Sequence, residues 1–149
     1  MKVSTKGDYA ARAVQELSMH YNRGVLQIEE IAQRQDIPVR YLEQLLLILK
    51  RAGYLESKRG VKGGYSLAKP PNQITLGEII RLMEGPPAPI YCVDPSSRNK
   101  CPVEKTCGFQ GVWGEVRDAV AEILDNITFE EICRRAQIRM TTRSASYHI

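Results

Sequence analysis

The chain has 149 residues, enough for one compact domain with an extension. Apolar residues make up 43% of it, which supports a core, and no apolar stretch is long enough to span a membrane. Met1–Asp8 has no apolar run or cleavage pattern, so a soluble, cytoplasmic protein with no membrane partner is expected, and its four cysteines read as thiols or metal ligands rather than disulfides.

The net charge of +4 is unevenly spread. Residues 1–85 carry 13 Lys/Arg against 9 Asp/Glu, whereas residues 86–149 carry 8 of each. Within 50–69, Lys50, Arg51, Lys58, Arg59, Lys62 and Lys69 face a single acid, Glu56. Such a cluster suits a polyanion, although charge alone also describes a solvated basic surface.

Helical spacing of Tyr9, Ala13, Val14, Leu17 and Tyr21 predicts a first helix over about Lys6–Tyr21, capped by Ser4 or Thr5 and ended by Asn22-Arg23-Gly24. Val25-Leu26 reads as a short strand or a tight connection. A short helix from Ile28 to about Gln35 follows, then the turn Asp36-Ile37-Pro38. The third helix runs from Val39, beside Pro38, to about Ala52, with Leu42, Leu45, Leu46 and Leu49 on its apolar face and Gly53 as its stop. Two short helices joined by a tight turn form a helix-turn-helix pattern, which an ordinary helical hairpin also satisfies.

The next segment favours the first reading. Tyr54–Lys58 reads as a strand, Arg59–Gly64 as a turn, and Tyr65–Ala68 as the return strand. A basic, glycine-rich hairpin placed after a helix-turn-helix is a wing: glycines leave a groove unobstructed, and arginine suits a narrow minor groove. A phosphate-loop reading fails because the Gly-Lys-Ser/Thr ending is missing and no helix follows directly.

Pro70-Pro71 breaks the chain, and Thr75 opens a fourth helix marked by Leu76, Ile79, Ile80 and Met83. Residues 85–108 form a proline-broken loop, which in a compact domain points to function or disorder. A long helix over about Phe109–Asp125 carries an apolar stripe of Phe109, Val112, Trp113, Val116, Val120, Ile123 and Leu124. Its destination is either a second subunit or the chain's own core. Thr128 and Glu131 form a capping-box pair opening a short last helix, in which Phe129, Ile132, Cys133 and Ala136 make an apolar face; a polar, flexible tail is expected from Arg139.

The expected fold is therefore mostly α with a small β-hairpin: a winged helix-turn-helix DNA-binding domain over 1–84, a cysteine-bearing loop over 85–108, a dimerisation helix and short last helix over 109–138, and a tail over 139–149. Cys92, Cys101 and Cys107 share the loop in a Cys-x8-Cys-x5-Cys pattern. Thiolates there suit zinc, copper(I) or an iron–sulfur cluster, and a metal would staple a loop with few apolar residues; free thiols satisfy the spacing equally.

Together, Ser4-Thr5-Lys6-Gly7-Asp8-Tyr9-Ala10, Tyr41-Leu42-Glu43-Gln44-Leu45, the wing Arg59-Gly60…Gly63-Gly64-Tyr65, and the three cysteines followed by Trp113 resemble the Rrf family of winged-helix regulators. The resemblance spans nearly the whole chain except the tail. It implies a homodimer crossed through the long helix and a two-fold operator in double-stranded DNA. As in IscR-like and NsrR-like members, it also implies an iron–sulfur cluster (2Fe–2S or 4Fe–4S, undecided by sequence) on Cys92, Cys101 and Cys107. CymR-like members lack these cysteines and sense through a partner protein. IscR-like members complete the ligand set with a histidine where this chain has Gln110, and the histidines here, His20 and His148, are far from the loop in sequence. NsrR-like members use an aspartate from the other subunit's first helix, at the position of Asp8; a carboxylate in a first helical turn is equally explained by the helix dipole.

Base reading is expected from Arg40, Tyr41, Glu43 and Gln44 at the start of the third helix. Arg59, with Lys62, Gly63 and Gly64 around it, is expected at the minor groove. No nucleophile elbow, phosphate loop or acid–base pair suggests an enzyme. The rival readings are a cluster-free regulator responding to thiol redox state or a partner protein, and a zinc-stapled interaction module.

Overall fold

In a computed structural model, residues 1–146 are described and form six helices and one two-stranded hairpin. Helix α1, Thr5–Met19, starts at Ser4, whose side chain accepts from the Gly7 N–H. It ends two residues before the expected Tyr21, because Asn22 (φ 62°) and Gly24 (φ 89°) turn the chain through the left-handed region. The next residues pair as an isolated bridge, Leu26 with Tyr65.

Helices α2, Ile28–Gln35, and α3, Val39–Arg51, are joined by a turn in which Asp36 is left-handed (φ 52°) and Ile37 is buried. Strands β1, Leu55–Lys58, and β2, Gly64–Leu67, pair antiparallel with Leu55 opposite Leu67 and Lys58 opposite Gly64. A single 3-10 turn at Pro71–Gln73 leads to α4, Leu76–Glu84, which opens with a full capping box between Thr75 and Glu78. Helix α5 is Phe109–Asn126 and α6 is Phe129–Ser146.

One core joins α1–α4, the hairpin and the start of α6. Ala10, Ala13, Val14 and Leu17 of α1 meet Leu42, Leu45, Leu46 and Leu49 of α3, with Ile31, Leu26, Leu55, Leu67, Ile79 and Phe129 completing the cluster. These are the helical-period positions of α1 and α3, so the pattern in the chain and the burial in the fold share one cause.

The last helix departs from expectation. It is 18 residues long, and residues 139–146 of the expected flexible tail are helical. Polarity there does not oppose helix formation: Thr141, Thr142, Ser144 and Ser146 bond back to carbonyls four residues earlier, and Arg, Gln, Met and Ala are competent helix formers. Residues 147–149 of that tail, His148 included, lie outside the described residues. Only half of the expected capping box forms. Glu131 N–H donates to Thr128 Oγ1 (3.3 Å), but the Glu131 carboxylate turns to Arg134 and Arg135, which hold its pKa down at about 2.

Candidate nucleic-acid interface and cysteine loop

Helix α3 divides its residues between two surfaces. Leu42, Leu45, Leu46 and Leu49 face inward, while Arg40, Glu43 and Gln44 are exposed on the opposite side near its N-terminus. Tyr41 is half-buried: its ring stands edge-on to Tyr9 of α1 at 5.8 Å, so it anchors the helix rather than standing free beside the other three.

A polar network fixes the helix-turn-helix from the α1 side. Glu16 is buried and accepts from Gln35 Nε2 at 2.6 Å and from Arg34 Nη1 at 3.5 Å. Arg12 donates to the Gln35 side chain at 3.0 Å and to the Gln35 backbone carbonyl, placing positive charge at the C-terminus of α2. Its other end meets Asp8 at 3.3 Å, and its guanidinium lies 5.4 Å from the Tyr9 ring centre. Sequence reasoning missed this network because its members are 18 to 23 residues apart and leave no periodic trace.

The wing tip is exposed at Arg59, Gly60, Val61 and Lys62. Gly60 turns at φ 106°, and its carbonyl accepts from Gly63 N–H at 2.9 Å. Gly63 is buried inside the turn, where a Cβ would collide with the Lys58 carbonyl and the Arg59 backbone. At Gly64 a Cβ would collide with the Leu26 carbonyl, against which β2 is seated. Both glycines are thus required by the wing's own packing, whereas Arg59 and Lys62 point to solvent.

Gln27 is a further wing residue that the sequence did not announce. Its side-chain amide donates to Val61 O at 3.2 Å and ties the wing tip to the start of α2. Between them lies a groove of about 580 Å³ whose lining includes Gln27, Glu29, Lys50, Lys58 and Arg59. Lys50 reaches Ser57 Oγ at 2.5 Å, while Lys69 sits over the Tyr54 ring at 4.7 Å, so the basic cluster of 50–69 does not converge as one patch.

The cysteine loop is built differently. Its regular structure is limited to 3-10 turns at Tyr91–Val93 and Glu104–Thr106, and its buried apolar side chains are few, Val93 among them. Arg117 of α5 holds the loop by donating to Val93 O at 2.9 Å. Cys92, Cys101 and Cys107 are free and half-buried. The Tyr91 hydroxyl has its pKa raised by a hydrogen bond to Cys101 and the charge of its thiolate, then by burial and by the Cys92 thiolate. The Gln110 side-chain amide donates to Glu104 at 3.4 Å. Cys133 is separate: it is buried on α6 against Gln15 O of α1, and burial, with the nearby Glu16 charge, pushes its thiol up to about 11.

Asp8 lies exposed in the first turn of α1, on a cavity of about 450 Å³ shared with Thr5, Leu76, Ile80 and Leu124. Among the described residues, no set of three or more His, Cys, Asp or Glu side chains of one chain is gathered closely enough to hold a metal ion. The donor chemistry fits an iron–sulfur cluster, being three soft thiols on a loop without a core. The set is not closed within one chain.

A helix-turn-helix followed by a paired, basic-tipped wing defines a winged-helix DNA-binding regulator. A family model described as Rrf2, iron-dependent transcriptional regulator, matches residues 3–135, and the chain belongs to that family. It is 38% identical over 132 residues to the HTH-type transcriptional regulator CymR of Bacillus subtilis, covering 89% of each chain. Its fold matches the structure of CymR, the global cysteine regulator of B. subtilis, at TM-score 0.74 and 36% identity over 91% of this chain and 98% of that one. It matches T. potens IscR at TM-score 0.72 and 38% identity, over 91% and 88%. These relatives are transcriptional regulators, not enzymes, and members of the family bind DNA. No helix among the described residues is long and apolar enough to cross a membrane.

Proposed function

We propose that this chain acts as a homodimeric regulator on a two-fold operator in double-stranded DNA, its affinity set by an iron–sulfur cluster held at Cys92, Cys101 and Cys107. The carrying observation is the pairing of a closed, basic-tipped reading head with three half-buried free thiols on a loop that has little else to order it. On the reading head, Arg40 and Gln44 have donor geometry for guanine and adenine edges, and Glu43 can accept from cytosine. Arg59 and Lys62 reach the minor groove and adjacent phosphates from the wing. Tyr41 positions α3 through Tyr9, while Gly63 and Gly64 shape the wing that presents Arg59. The apolar stripe of α5 is the dimer seam.

A bound cluster supplies a centre whose integrity depends on iron supply and oxidants. This chain's residues link its site to the reading head. Asp8, offered by the second subunit as a weak, hard fourth ligand, is the residue that Arg12 holds, and Arg12 in turn holds the Gln35 carbonyl at the helix-turn-helix turn. Drawing Asp8 away from Arg12 therefore alters the charge beside the turn. The family description as iron-dependent supports this reading.

The test is anaerobic reconstitution of wild type, Cys101→Ala and Asp8→Ala, with absorption spectra and iron and sulfide counts. Wild type should take up iron and sulfide, Cys101→Ala should not, and Asp8→Ala should give an altered or short-lived cluster. Wild type that takes up no iron defeats the cluster reading and leaves a thiol- or partner-responsive regulator. The DNA arm is tested separately by Arg59→Ala, which should weaken operator binding by roughly tenfold, about the 1.4 kcal/mol of one good contact, with thermal stability unchanged. Unchanged affinity at moderate salt removes Arg59 from the interface.

A further inference from the structure

We propose that the C-terminal half of α6 is a second DNA arm, carrying Arg139 and Arg143 to phosphates that flank the operator. The inference rests on the reading of the chain as a duplex-binding regulator. It starts from a division within α6. Phe129 and Cys133 are buried, but residues 137–146 are all exposed, and beyond Gln137 no residue of the helix is buried against the rest of the described chain. The family model matches residues 3–135, so the free half lies beyond that match.

The free half has one chemical character. Residues 132–149 contain four arginines and no carboxylate side chain. Arg134 and Arg135 are engaged by Glu131, at 2.6 and 2.9 Å. Arg139 and Arg143 stand four residues apart on one helix face and enter no ion pair among the described residues. Ile138 and Met140, the large apolar residues here, are exposed and line one open hollow together with Arg139, Thr142 and Arg143, so apolar and basic groups are mixed rather than forming a continuous apolar stripe. Two unpaired guanidiniums on a Ser/Thr-rich helix match a phosphate backbone, which such groups position rather than read.

The direction of the helix also fits. Cys133 meets Gln15, and Gln137 shares a cavity with Ser18 and Tyr21, so α6 runs parallel to α1 and continues past its C-terminal end. From Gln137 to Ser146 the helix advances roughly 13 Å further, at about 1.5 Å per residue. At that end of α1, His20, Asn22 and Gly24 lie beside Ser66 and Leu67 of β2, and Leu26 pairs with Tyr65. The free half of α6 thus leaves the domain on the side that carries the wing.

The experiment measures full-length protein on an operator duplex with short flanks and on one extended by about one helical turn on each side, across salt concentrations. Wild type should bind the long duplex more tightly. The double variant Arg139→Gln, Arg143→Gln should lose that gain, bind the long duplex roughly tenfold more weakly, and lower the slope of log affinity against log salt by up to about 1.8 per protomer. Arg139→Lys with Arg143→Lys should retain the gain, and unchanged helical circular dichroism checks that the helix persists. Wild-type affinity independent of flank length, or a Gln variant that keeps the gain, overturns the arm. Wild type that binds neither duplex fails the regulator reading itself.

Discussion

The segment from α1 to α4 and the segment from the loop through α5 solve the burial problem in opposite ways. In the first, each helix hides its apolar stripe within the same chain, and Leu42, Leu46, Leu49, Ile79 and Val14 have no solvent exposure. In the second, α5 has no buried residue at all, and Phe109, Val112, Trp113, Val116 and Ile123 are exposed, Phe109 by 70%. A single chain therefore closes the reading head but leaves the other half unfinished. A contiguous apolar face of this kind signals a partner surface. The two halves meet where α4 lies against α5, through the Arg81–Asp125 ion pair, with the Thr75–Thr128 bridge beside buried Phe129 just past the end of α5.

The widest separation between the halves should come from two phenylalanines. Phe129→Ala empties a fully buried site where α6 packs on α1 and on the turn before α4, and should destabilise the fold by about 3–5 kcal/mol. Phe109→Ala, on the exposed start of α5, should change intrinsic fold stability little. Denaturant unfolding of both variants at a low, fixed protein concentration makes the comparison; equal losses would mean that α5 is as much core as α6. Next in size is the proposed dimer seam on α5. Aspartates at Val116 and Val120 should cost the dimer, giving a monomeric mass in light scattering or insoluble protein, because a desolvated charge facing its own symmetry copy has no partner. A well-folded dimer carrying both charges would place the seam elsewhere.

Much of the reading head was legible in the sequence because its determinants are local. The leucine spacing of α3, the glycines of the wing and the Asp36-Ile37-Pro38 turn each act within a few residues, and the structure places them in the expected elements except Gly64, which opens β2 opposite Lys58 instead of closing the turn. What escaped is what joins distant residues: Glu16 with Arg34 and Gln35, Gln27 with Val61, and Glu84 with Ser4, whose N–H donates to that carboxylate at 2.7 Å. Tyr41 is expected beside Arg40, Glu43 and Gln44 from its place at the start of α3, but its ring is packed against Tyr9. The end of α6 was read as a tail because it lacks apolar residues, although helix formation needs only backbone bonds and tolerable propensity. The cysteines were legible as donors by their chemistry alone, and among the described residues no three or more such donors are gathered into a site.

The smallest predicted effect lies at the joint between the halves, and its pH dependence identifies it. Arg81 of α4 grips Asp125 of α5 through two hydrogen bonds, one of them Nη2 to Oδ2 at 2.9 Å, over the close approach of Gly77 to the Asp125 carboxylate. The hydrogen bond to Arg81 lowers the Asp125 pKa from the ordinary value of 3.8, outweighing a small opposing effect of burial. A depressed carboxyl pKa stabilises the fold above 3.8, and that contribution is lost as pH falls through the lowered folded-state value. Both side chains are more than a third exposed, so solvent screening keeps the contribution within about 1 kcal/mol. Asp125→Asn preserves the shape and removes the charge. Its melting temperature should sit slightly below wild type near neutral pH and converge on it as the solution is acidified below 3.8, where wild type loses the same charge. High salt at neutral pH should narrow the gap in the same way. A gap that persists unchanged in acid and in salt would mean that the two halves are joined here by packing alone, with the charge of Asp125 contributing nothing to holding α5 against α4.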